Sequence, residues 1–313
     1  RVMTAGADPP TGDGPPGALL AEALGYAAAW RGRAVVVKVG GGLLDGGLPG
    51  TVADDLALLH GSGVRVVVVH GGGAAVSRLT RRLGGEPSFV DGLRVTDDAT
   101  MELVEMALGG RVNLELTGRL QAAGAPAAGV TGLDGGLLRA LPHPAAERLG
   151  RVGRVEGVDP ALLRSLLRDG FLPVVSPVAG DGDGRSLNVN ADEAAAALAG
   201  ALEAEKLVIL TDVDGVYRDG RATVPASGNG SGRGPLSRLS PGEVRELRAG
   251  GGASRGMVPK LEACLAALRA GVASAHVVGG ARPHAVLLEL FTDEGAGTMI
   301  REPDAVVSSR STP

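Results

Sequence analysis

Aromatic side chains and cysteine are scarce in this chain. Three Phe, two Tyr and one Trp are its aromatics among 313 residues, too few to form a platform on which nucleic-acid bases stack. The 31 basic and 35 acidic residues give a formal charge of −4, whereas binding to a phosphate backbone needs a clustered positive excess. We therefore expect no nucleic-acid partner. The one cysteine, Cys264, cannot form an internal disulfide, which predicts a reducing, cytoplasmic location.

Long hydrophobic runs are also missing. No apolar run approaches the roughly 20 residues of a membrane-spanning helix, and residues 1–17 are rich in Pro and Gly rather than signal-like. We expect no membrane partner. The hydrophobic share of 44% nevertheless predicts one large domain or two ordinary domains with well-buried cores.

Lysine is the rarest charged residue. The chain has Lys38, Lys206 and Lys260, and its other 28 basic residues are arginine (31 − 3). A compact ammonium on a flexible stem can approach a transferring phosphoryl group as a point charge, which the planar guanidinium does less well. The three lysines are therefore candidates for phosphate chemistry, and chance retention is the alternative.

Short apolar β-branched runs alternate with helical patterns from residue 33 onward. Strands are predicted at residues 34–39, 64–69, 172–175, 207–210 and 276–278. Because these runs are continuously apolar, they predict a parallel sheet with helices on both faces. Apolar residues at helical spacing predict helices at residues 101–120, 193–203 and 261–269.

The ends of the chain and one internal stretch differ in composition from this pattern. Residues 18–30 predict a short helix that carries Tyr26 and Trp30, and its apolar side could pack on a partner or on its own subunit. Residues 1–17, residues 218–235 and the tail after Arg301 are predicted to be flexible because they are polar or rich in Gly, Ser and Pro.

Glycine triplets follow the first two predicted strands. One is Gly40-Gly41-Gly42 and the other is Gly71-Gly72-Gly73, preceded by His70. Neither has the dinucleotide-binding spacing, and Lys38 precedes its glycines instead of following them as in a Walker motif. The turns are at the strand ends where open α/β sheets bind ligands. They predict a different phosphate-handling design, or plain tight turns.

Polar residues at four further places are candidate ligands. Asn188, Asn190 and Asp192 alternate before a helix and could form a recognition comb or a helix cap. Arg94 could hold a carboxylate with two hydrogen bonds, or be one more surface arginine. Residues 211–217 could line a nucleotide or merely turn. Lys260 is at a helix start, where a cation opposes the helix dipole, and an unfavourable placement indicates function.

Taken together, these motifs resemble the acetylglutamate kinase family of the amino acid kinase superfamily, in its arginine-inhibited type. The resemblance covers about residues 18–300. It rests on ordered motifs at residues 37–41, 70–73, 89–97, 188–192, 204–207, 256–260 and 291–295. Several specific motifs in order are a stronger signal than any one of them.

The resemblance implies an amino acid kinase fold: a three-layer α/β/α sandwich with an open, mostly parallel central sheet, preceded by an N-terminal helix. It also implies a division of the chain into a substrate lobe at residues 33–203 and a nucleotide-binding and effector lobe at residues 204–301. An oligomerisation helix at residues 18–32 would link dimers into a hexamer. Residues 1–17 and 302–313 would be flexible tails.

The resemblance also implies a role for each candidate residue. Lys38 and Lys260 would neutralise the transferring phosphoryl group, and Asp192 would hold both ammonium groups. The substrate N-acetyl-L-glutamate would be bound by Gly71, Gly72, Arg94, Asn188 and Asn190. ATP with Mg²⁺ would lie against Gly40, Gly41, Thr211, Asp212, Val213, Asp214, Gly215, Val216, Ala253 and Ser254. The inhibitor arginine would lie near Glu289 and Gly295.

The implied chemistry needs no general base. A side-chain carboxylate with a pKa near 4 is already ionised at pH 7 and is itself the nucleophile. Asp192 would then organise the two lysines rather than remove a proton. Two other functions remain open at this point: a kinase for an aminoadipate derivative on a carrier protein, and a non-catalytic subunit that senses arginine.

Overall fold

The strands form where the sequence is β-branched and continuously apolar. The computed structural model describes residue 25 and residues 28–218, 234–254, 256–292 and 295–303. The strands in these residues are β1 Ala34–Val39, β2 Arg65–His70, β3 Phe89–Val90, β4 Leu93–Arg94, β5 Ala127–Thr131, β6 Leu138–Pro142, β7 Val152–Val158, β8 Leu172–Ser176, β9 Val178–Gly180, β10 Ser186–Val189, β11 Lys206–Thr211, β12 Arg238–Leu239, β13 Ser274–Gly279 and β14 Gly297–Ile300.

Helices occupy most of the connections between strands. The α-helices of the described residues are Gly41–Leu44, Gly50–Gly61, Gly73–Arg82, Asp98–Val104, Asn113–Ala122, Ala146–Leu149, Ala161–Arg168, Ala191–Ala201, Pro241–Ala249, Val258–Arg269 and Ala285–Phe291. A π-helix, Glu105–Val112, and a 3₁₀ turn, Asp134–Gly136, complete the set. Within the described part of the chain, no helix combines the length and the apolarity needed to cross a bilayer.

Eight strands form the central sheet in the order β12-β14-β13-β11-β1-β2-β8-β5. All neighbouring strands are parallel except β13 and β14. The predicted open, mostly parallel sheet is therefore confirmed, and each of the five predicted strands is present within a few residues of its expected bounds. β1 lies in the middle of the sheet between β11 and β2, so its C-terminal end is flanked by two further strand ends.

Successive residues of β1 belong to different cores, which confirms the three-layer arrangement. Val36 packs into one hydrophobic cluster, and Val35, Val37 and Val39 pack into another. This alternation is the period of two of a strand covered on both faces. Lys38 has the same parity as Val36, so its side chain leaves the sheet on the side where the helix Ala191–Ala201 packs.

A second, smaller sheet was not expected from the sequence. β6, β7, β9 and β10 pair with one another in a closed ring. Their polar and glycine-containing sequences lack the continuous apolar runs from which the other strands were predicted. This sheet ends at β10, whose chain leads directly into the helix Ala191–Ala201.

The long predicted helix at residues 101–120 is present, but its middle is wider than an α-helix. Residues 104, 108, 112, 116 and 120 are all buried and are spaced by four. In an α-helix of 3.6 residues per turn, each step of four rotates the side chain forward by about 40°. The π-segment Glu105–Val112 has more residues per turn, so it reverses that drift and keeps the stripe on the core.

The two proposed lobes share one sheet and one core. β1, β2, β5 and β8 come from residues 33–203, and the other four strands come from residues 204–301. One hydrophobic cluster contains residues from both. Several predictions lie outside the described residues: the tail at 1–17, residues 18–24 and 26–27 of the N-terminal helix, residues 219–233, and residues 304–313.

Candidate active site

Two lysines from distant parts of the chain meet at one carboxylate. The Nζ atom of Lys38 lies 2.7 Å from Oδ1 of Asp192, and the Nζ atom of Lys260 lies 3.2 Å from Oδ2 of the same residue. Their side chains are 5%, 16% and 7% exposed for Lys38, Lys260 and Asp192. The sequence singled out these three residues, and the structure brings them together.

Local structure explains why each of the three groups points to the same place. Lys38 is near the C-terminal end of β1. Asp192 is in the first turn of the helix Ala191–Ala201, where the helix dipole favours an anion. Lys260 is in the first turn of the helix Val258–Arg269, where the dipole disfavours a cation. The ion pair with Asp192 offsets that cost.

Burial and mutual charge act against each other in this cluster. Burial lowers the pKa of Lys38, as does the nearby charge of Lys260, while Asp192 opposes both effects. Burial alone would raise the pKa of Asp192, but the two ammonium groups outweigh it and hold that pKa below its ordinary value. Two cations and one anion leave one buried positive charge in excess. Such a site is built to receive a negatively charged group.

The two glycine turns touch each other beside this cluster. A side chain at Gly40 would place its Cβ 2.9 Å from the carbonyl oxygen of Leu210, and one at Gly41 would lie 3.1 Å from the backbone nitrogen of Gly72. The backbone N–H of Gly71 donates to the carbonyl of Val39 at 2.9 Å. Close backbone packing therefore requires these glycines, which is what the tight-turn interpretation predicted. It also leaves backbone, not side chains, at the edge of the site.

A buried histidine that the sequence analysis did not single out shapes the second turn. His70 is fully buried; its Nδ1 lies 2.9 Å from the carbonyl oxygen of Gly71 and its Nε2 lies 3.2 Å from Nδ2 of Asn113. Burial lowers the pKa of His70 to about 4, so the ring is neutral at pH 7. Nδ1–H then donates to Gly71, and Nε2 accepts from Asn113. An asparagine within the apolar stripe of residues 101–120 was the one sequence signal for this pair.

Arg94 is buried rather than at the surface. It is 8% exposed, and its Nη2 donates to the carbonyl oxygen of Gly73 at 2.6 Å and to Oγ of Ser77 at 2.8 Å. Its Nη1 is buried without a protein partner among the described residues. Burial, and then the charge of Arg81, lowers the pKa of Arg94. A buried guanidinium with a free donor beside the second glycine turn is suited to bind an anion.

Asn188 and Asn190 have different environments. Nδ2 of Asn188 donates to Oγ1 of Thr96 at 3.1 Å, and that hydroxyl donates to the carbonyl of Arg94. Asn188 is thereby connected to the segment that carries Arg94. Oδ1 of Asn190 instead accepts from the backbone N–H of Asp192 at 2.7 Å and caps its helix. Asn190 is therefore a helix cap, as the second interpretation of the alternating residues expected.

The segment proposed to bind nucleotide follows β11 at the same edge of the sheet. Thr211 is buried, and its hydroxyl donates to Oδ1 of Asp212 at 3.0 Å. Val213 packs against the core, and Val216 donates its N–H to Thr298. Gly215 has φ +155° and a Cβ there would lie 2.8 Å from Pro235. Asp214 precedes it in the same turn. This turn lies beside the C-terminal end of β1, because Leu210 is in register with Val39.

Ala253 and Ser254 lead into the helix that carries Lys260. The carbonyl of Ser254 accepts from the backbone N–H of Met257 at 2.9 Å and of Val258 at 3.1 Å. Ala253 packs against the larger core cluster. Arg255, between this pair and Gly256, lies outside the described residues.

Glu289 is neither exposed nor in contact with the lysine cluster. It is 6% exposed, so it is buried rather than at the surface of its helix. Its Oε1 lies 2.5 Å from Nδ1 of His276, and its Oε2 accepts from the N–H groups of Ala296 and Gly297. A Cβ at Gly295 would lie 2.8 Å from the same oxygen. The two candidate effector residues are therefore neighbours.

Comparison with known proteins gives the class of this molecule. Residues 33–279 match the model of the amino acid kinase family. An N-acetylglutamate synthase from Neisseria gonorrhoeae superposes with a TM-score of 0.78 at 29% identity, over 93% of this chain and 65% of that one. A carbamate kinase from Giardia lamblia, at a TM-score of 0.60 and 15% identity over 87% and 99% of the two chains, shares the fold. The chain belongs to the amino acid kinase family.

Curated relatives narrow the class further. The acetylglutamate kinase of Acidothermus cellulolyticus is 50% identical over 90% of this chain and 95% of its own length. That of Symbiobacterium thermophilum is 46% identical over 90% and 96% of the two chains. Within its family the chain therefore groups with the acetylglutamate kinases, and it is an enzyme. It spans only about 65% of the N-acetylglutamate synthase, whose own activity is not transferred to it.

Proposed function

We propose that this enzyme transfers the γ-phosphoryl group of ATP to the side-chain carboxylate of N-acetyl-L-glutamate, a step of arginine biosynthesis. The products are N-acetyl-L-glutamyl 5-phosphate and ADP. The observation that carries the proposal is the buried excess of positive charge at Lys38, Asp192 and Lys260. The similarity to enzymes named acetylglutamate kinase supports the choice of substrate.

The reaction follows from charge and position. A carboxylate oxygen of the substrate attacks the γ-phosphorus, and the bond from that phosphorus to the oxygen bridging it to the β-phosphate breaks as ADP leaves. The carboxylate is already ionised at neutral pH, so no proton has to be removed. Catalysis therefore depends on bringing two anionic groups together and on stabilising the charge of the transition state.

Lys38 and Lys260 supply that stabilisation from two directions. Each ammonium has donors beyond its contact with Asp192, and these donors would face the oxygens of the phosphoryl group in transfer. Asp192 acts as an organiser: both of its oxygens face a lysine, and its pKa lies below the ordinary value. A carboxylate held in this way is a weak base, and it fixes the positions of the two ammonium groups.

We assign the substrate to the glycine turn next to this cluster. Arg94 would bind a carboxylate of the substrate through Nη1, the donor that lacks a protein partner in the described structure. Asn188 and the backbone N–H groups of Gly71 and Gly72 would bind its remaining polar atoms. Asn190 would bind the substrate as well, from a position in which its Oδ1 also caps the helix that carries Asp192.

The nucleotide would lie along residues 211–216 and residues 253–254, with its phosphates toward Gly40 and Gly41. Mg²⁺ commonly binds through one or two carboxylates together with substrate phosphates. Asp212 fits that role, because its carboxylate is near enough to Lys38 to favour the charged lysine, against the larger effect of burial. Among the described residues, no group of three or more His, Cys, Asp or Glu side chains forms a metal cage. Bound with the nucleotide, magnesium would neutralise phosphate charge.

We further propose that arginine inhibits this enzyme and binds near Glu289 and Gly295. The support is that the two residues are adjacent, and that Glu289 holds a buried anionic carboxylate whose charge suits a guanidinium. Titration of arginine into the activity assay tests this regulation. A flat curve would remove arginine from the proposal and leave the catalytic part intact.

A homo-oligomer, either a dimer or a hexamer, is also part of the proposal. Met106 and Leu114 are 57% and 71% exposed. They lie about two turns apart on the continuous helical segment 98–122, and a second copy would remove them from water. Light scattering on the purified chain measures the mass, and a monomer at micromolar concentration would contradict the proposal.

The buried single thiol, Cys264, fits the expected cytoplasmic location.

One assay tests the main proposal. Hydroxylamine traps an acyl phosphate as a hydroxamate, so the enzyme is incubated with ATP, Mg²⁺ and hydroxylamine. Acetylglutamate, glutamate and acetylaminoadipate are compared in parallel. We expect hydroxamate with acetylglutamate and at least about tenfold less with the other two, since the site must accept both the acetyl group and the chain length. No product with any of the three would refute the proposed function.

A further inference from the structure

Phe89 is the most exposed phenylalanine among the described residues. It is 53% exposed, although an aromatic ring is usually found in a core. It lies on β3 of a hairpin with two central turn residues, Asp91 and Gly92, at φ +52° and +84°. Positive φ at both residues is typical of a type I′ turn, whose twist matches that of the strands.

The hairpin places Phe89 directly opposite Arg94. The two residues are register partners in the antiparallel pair of β3 and β4, so their side chains leave the same face of the hairpin. The Cζ atom of Arg94 lies 4.7 Å from the centre of the Phe89 ring. This distance is within the range of a cation–π contact.

The remaining contacts of Arg94 leave one of its nitrogens available. Nη2 donates to the carbonyl of Gly73 and to the hydroxyl of Ser77, so this end of the guanidinium is anchored to the helix that follows the second glycine turn. Nη1 is buried and has no protein partner among the described residues. Both hydrogen bonds are at the Nη2 end of the planar guanidinium group, so small tilts of the plane displace the Nη1 end the most. An aromatic ring against one face of the plane restricts that tilt.

We propose that Phe89 is a positioning residue: its ring holds the guanidinium plane of Arg94 so that Nη1 is presented to a carboxylate of the substrate. The proposal rests on the role of Arg94 under the proposed function. It explains why a large apolar ring remains half exposed, because the ring must lie over a side chain at the entrance of the site. The two-residue turn sets the register in which Phe89 and Arg94 are opposite each other.

Substrate affinity in matched variants tests the proposal. Phe89→Leu keeps an apolar side chain but removes the π face, and Phe89→Tyr keeps the π face. A cation–π contact of ordinary strength corresponds to about threefold to thirtyfold in affinity. For F89L we expect an acetylglutamate Kd about tenfold weaker by calorimetry, with KM raised in proportion and kcat within about twofold. For F89Y we expect values within about twofold of the wild type.

The double variant separates positioning from a merely structural role. If Phe89 acts through Arg94, the effect of F89L on kcat/KM should disappear in an Arg94→Ala background, where there is no guanidinium to hold. If the ring only stabilises the hairpin, F89L should have the same effect in both backgrounds and F89Y should offer no special rescue. The second result would overturn the proposal. The melting temperature of each variant shows whether it is folded.

A chemical probe keeps this test independent of the proposed reaction. Phenylglyoxal modifies accessible guanidinium groups, and peptide mass spectrometry reads the rate at Arg94. We expect F89L to be modified at least about threefold faster than the wild type, and F89Y at the wild-type rate. Equal rates in all three proteins would overturn the positioning role. If R94A leaves acetylglutamate affinity unchanged while F89L still speeds modification, the substrate assignment of Arg94 fails and the stacking role of Phe89 stands.

Discussion

Two buried carboxylates in this molecule have opposite surroundings. The oxygens of Asp192 each face a lysine ammonium, at 2.7 and 3.2 Å. Those of Glu289 face the ring of His276 and the backbone N–H groups of Ala296 and Gly297. Burial lowers the pKa of His276 and keeps its ring neutral, so Glu289 is satisfied by uncharged donors.

The difference between the two sites shows the role of the excess positive charge around Asp192. Around Asp192 the charges sum to one excess positive charge in a place with little water, and that surplus favours an incoming anion. Around Glu289 the hydrogen bonds connect β13, the helix Ala285–Phe291 and the start of β14. The first arrangement is suited to chemistry, and the second joins three elements of the fold beside the proposed effector position.

Removing the charge of Asp192 should have the largest effect. Asp192→Asn is close in shape, but it leaves two buried ammonium groups facing each other and places an amide NH₂ donor against one of them. We expect kcat in the hydroxamate assay to fall by about 10³-fold, since the two ammonium groups would no longer be held in position for the phosphoryl group. Near-normal turnover would contradict the contrast between Asp192 and Glu289, because Asp192 would then be no more than a structural carboxylate.

Exchange of a lysine for arginine should have the next largest effect. Lys38→Arg keeps the charge, yet the wide guanidinium cannot occupy the position of a buried ammonium next to Asp192. We expect kcat to fall by between about 10² and 10³-fold. Lys206→Arg is the matched control: Lys206 begins β11 at the opposite edge of the sheet from the glycine turns. Its kcat should stay within about twofold, and an equal loss in both variants would contradict the assignment.

The buried histidine behind the glycine turn should appear in the pH dependence of stability. The pKa of His70 is lowered by burial to about 4, against about 6.5 in an unfolded chain. Between these values the unfolded state binds more protons, so the free energy of unfolding falls as pH decreases from about 6.5 to 4, by up to about 3 kcal/mol. Urea unfolding across this range measures it.

A His70→Gln variant serves as the control for that measurement. Glutamine does not titrate in this range, so the stability of the variant should vary less with pH than that of the wild type. The other groups that titrate, His276 among them, are common to both proteins and cancel in the difference. Parallel curves for the two proteins would show that His70 is not held neutral by the fold.

The smallest effect is expected at the second carboxylate. Glu289→Gln places an NH₂ donor against partners that are themselves N–H donors, so at least one hydrogen bond is lost. We expect a loss of stability of about 1–3 kcal/mol, measured by urea unfolding, with kcat in the absence of arginine within about twofold. A large loss of turnover without arginine would mean that the two carboxylate sites do not divide chemistry from structure as described.

The sequence predicted the parts of the molecule that repeat a simple pattern. Continuous apolar runs such as residues 34–39 predicted the parallel strands and their coverage on both faces. The glycines after β1 and β2 predicted turns at the edge of the sheet. The roles of Lys38, Asp192 and Lys260 came from resemblance to a family, because no local pattern shows that residues 222 positions apart meet at one carboxylate.

The remaining features depend on long-range packing. The sequences of β6, β7, β9 and β10 have no apolar periodicity from which their closed ring could be predicted. The π-segment Glu105–Val112 keeps side chains spaced by four residues on the buried side of the helix. That requirement can be recognised only when the core is known. The burial of Glu289 could not be predicted, because a short apolar helix can bury any face. The cap at Asn190 was one of two open interpretations, because alternation along a strand does not show where the next helix begins.

The pairing of β1 with β11 has a consequence for folding during synthesis of the enzyme. Strands β1, β2, β5 and β8 are synthesised well before β11, so β1 has an unpaired edge in the nascent chain. At about 5–20 residues per second, that edge stays open for several seconds or more. It is β-branched and apolar, which is the kind of edge that recruits other chains. Ribosome-associated chaperones should therefore be needed most during the interval before Lys206–Thr211 emerges.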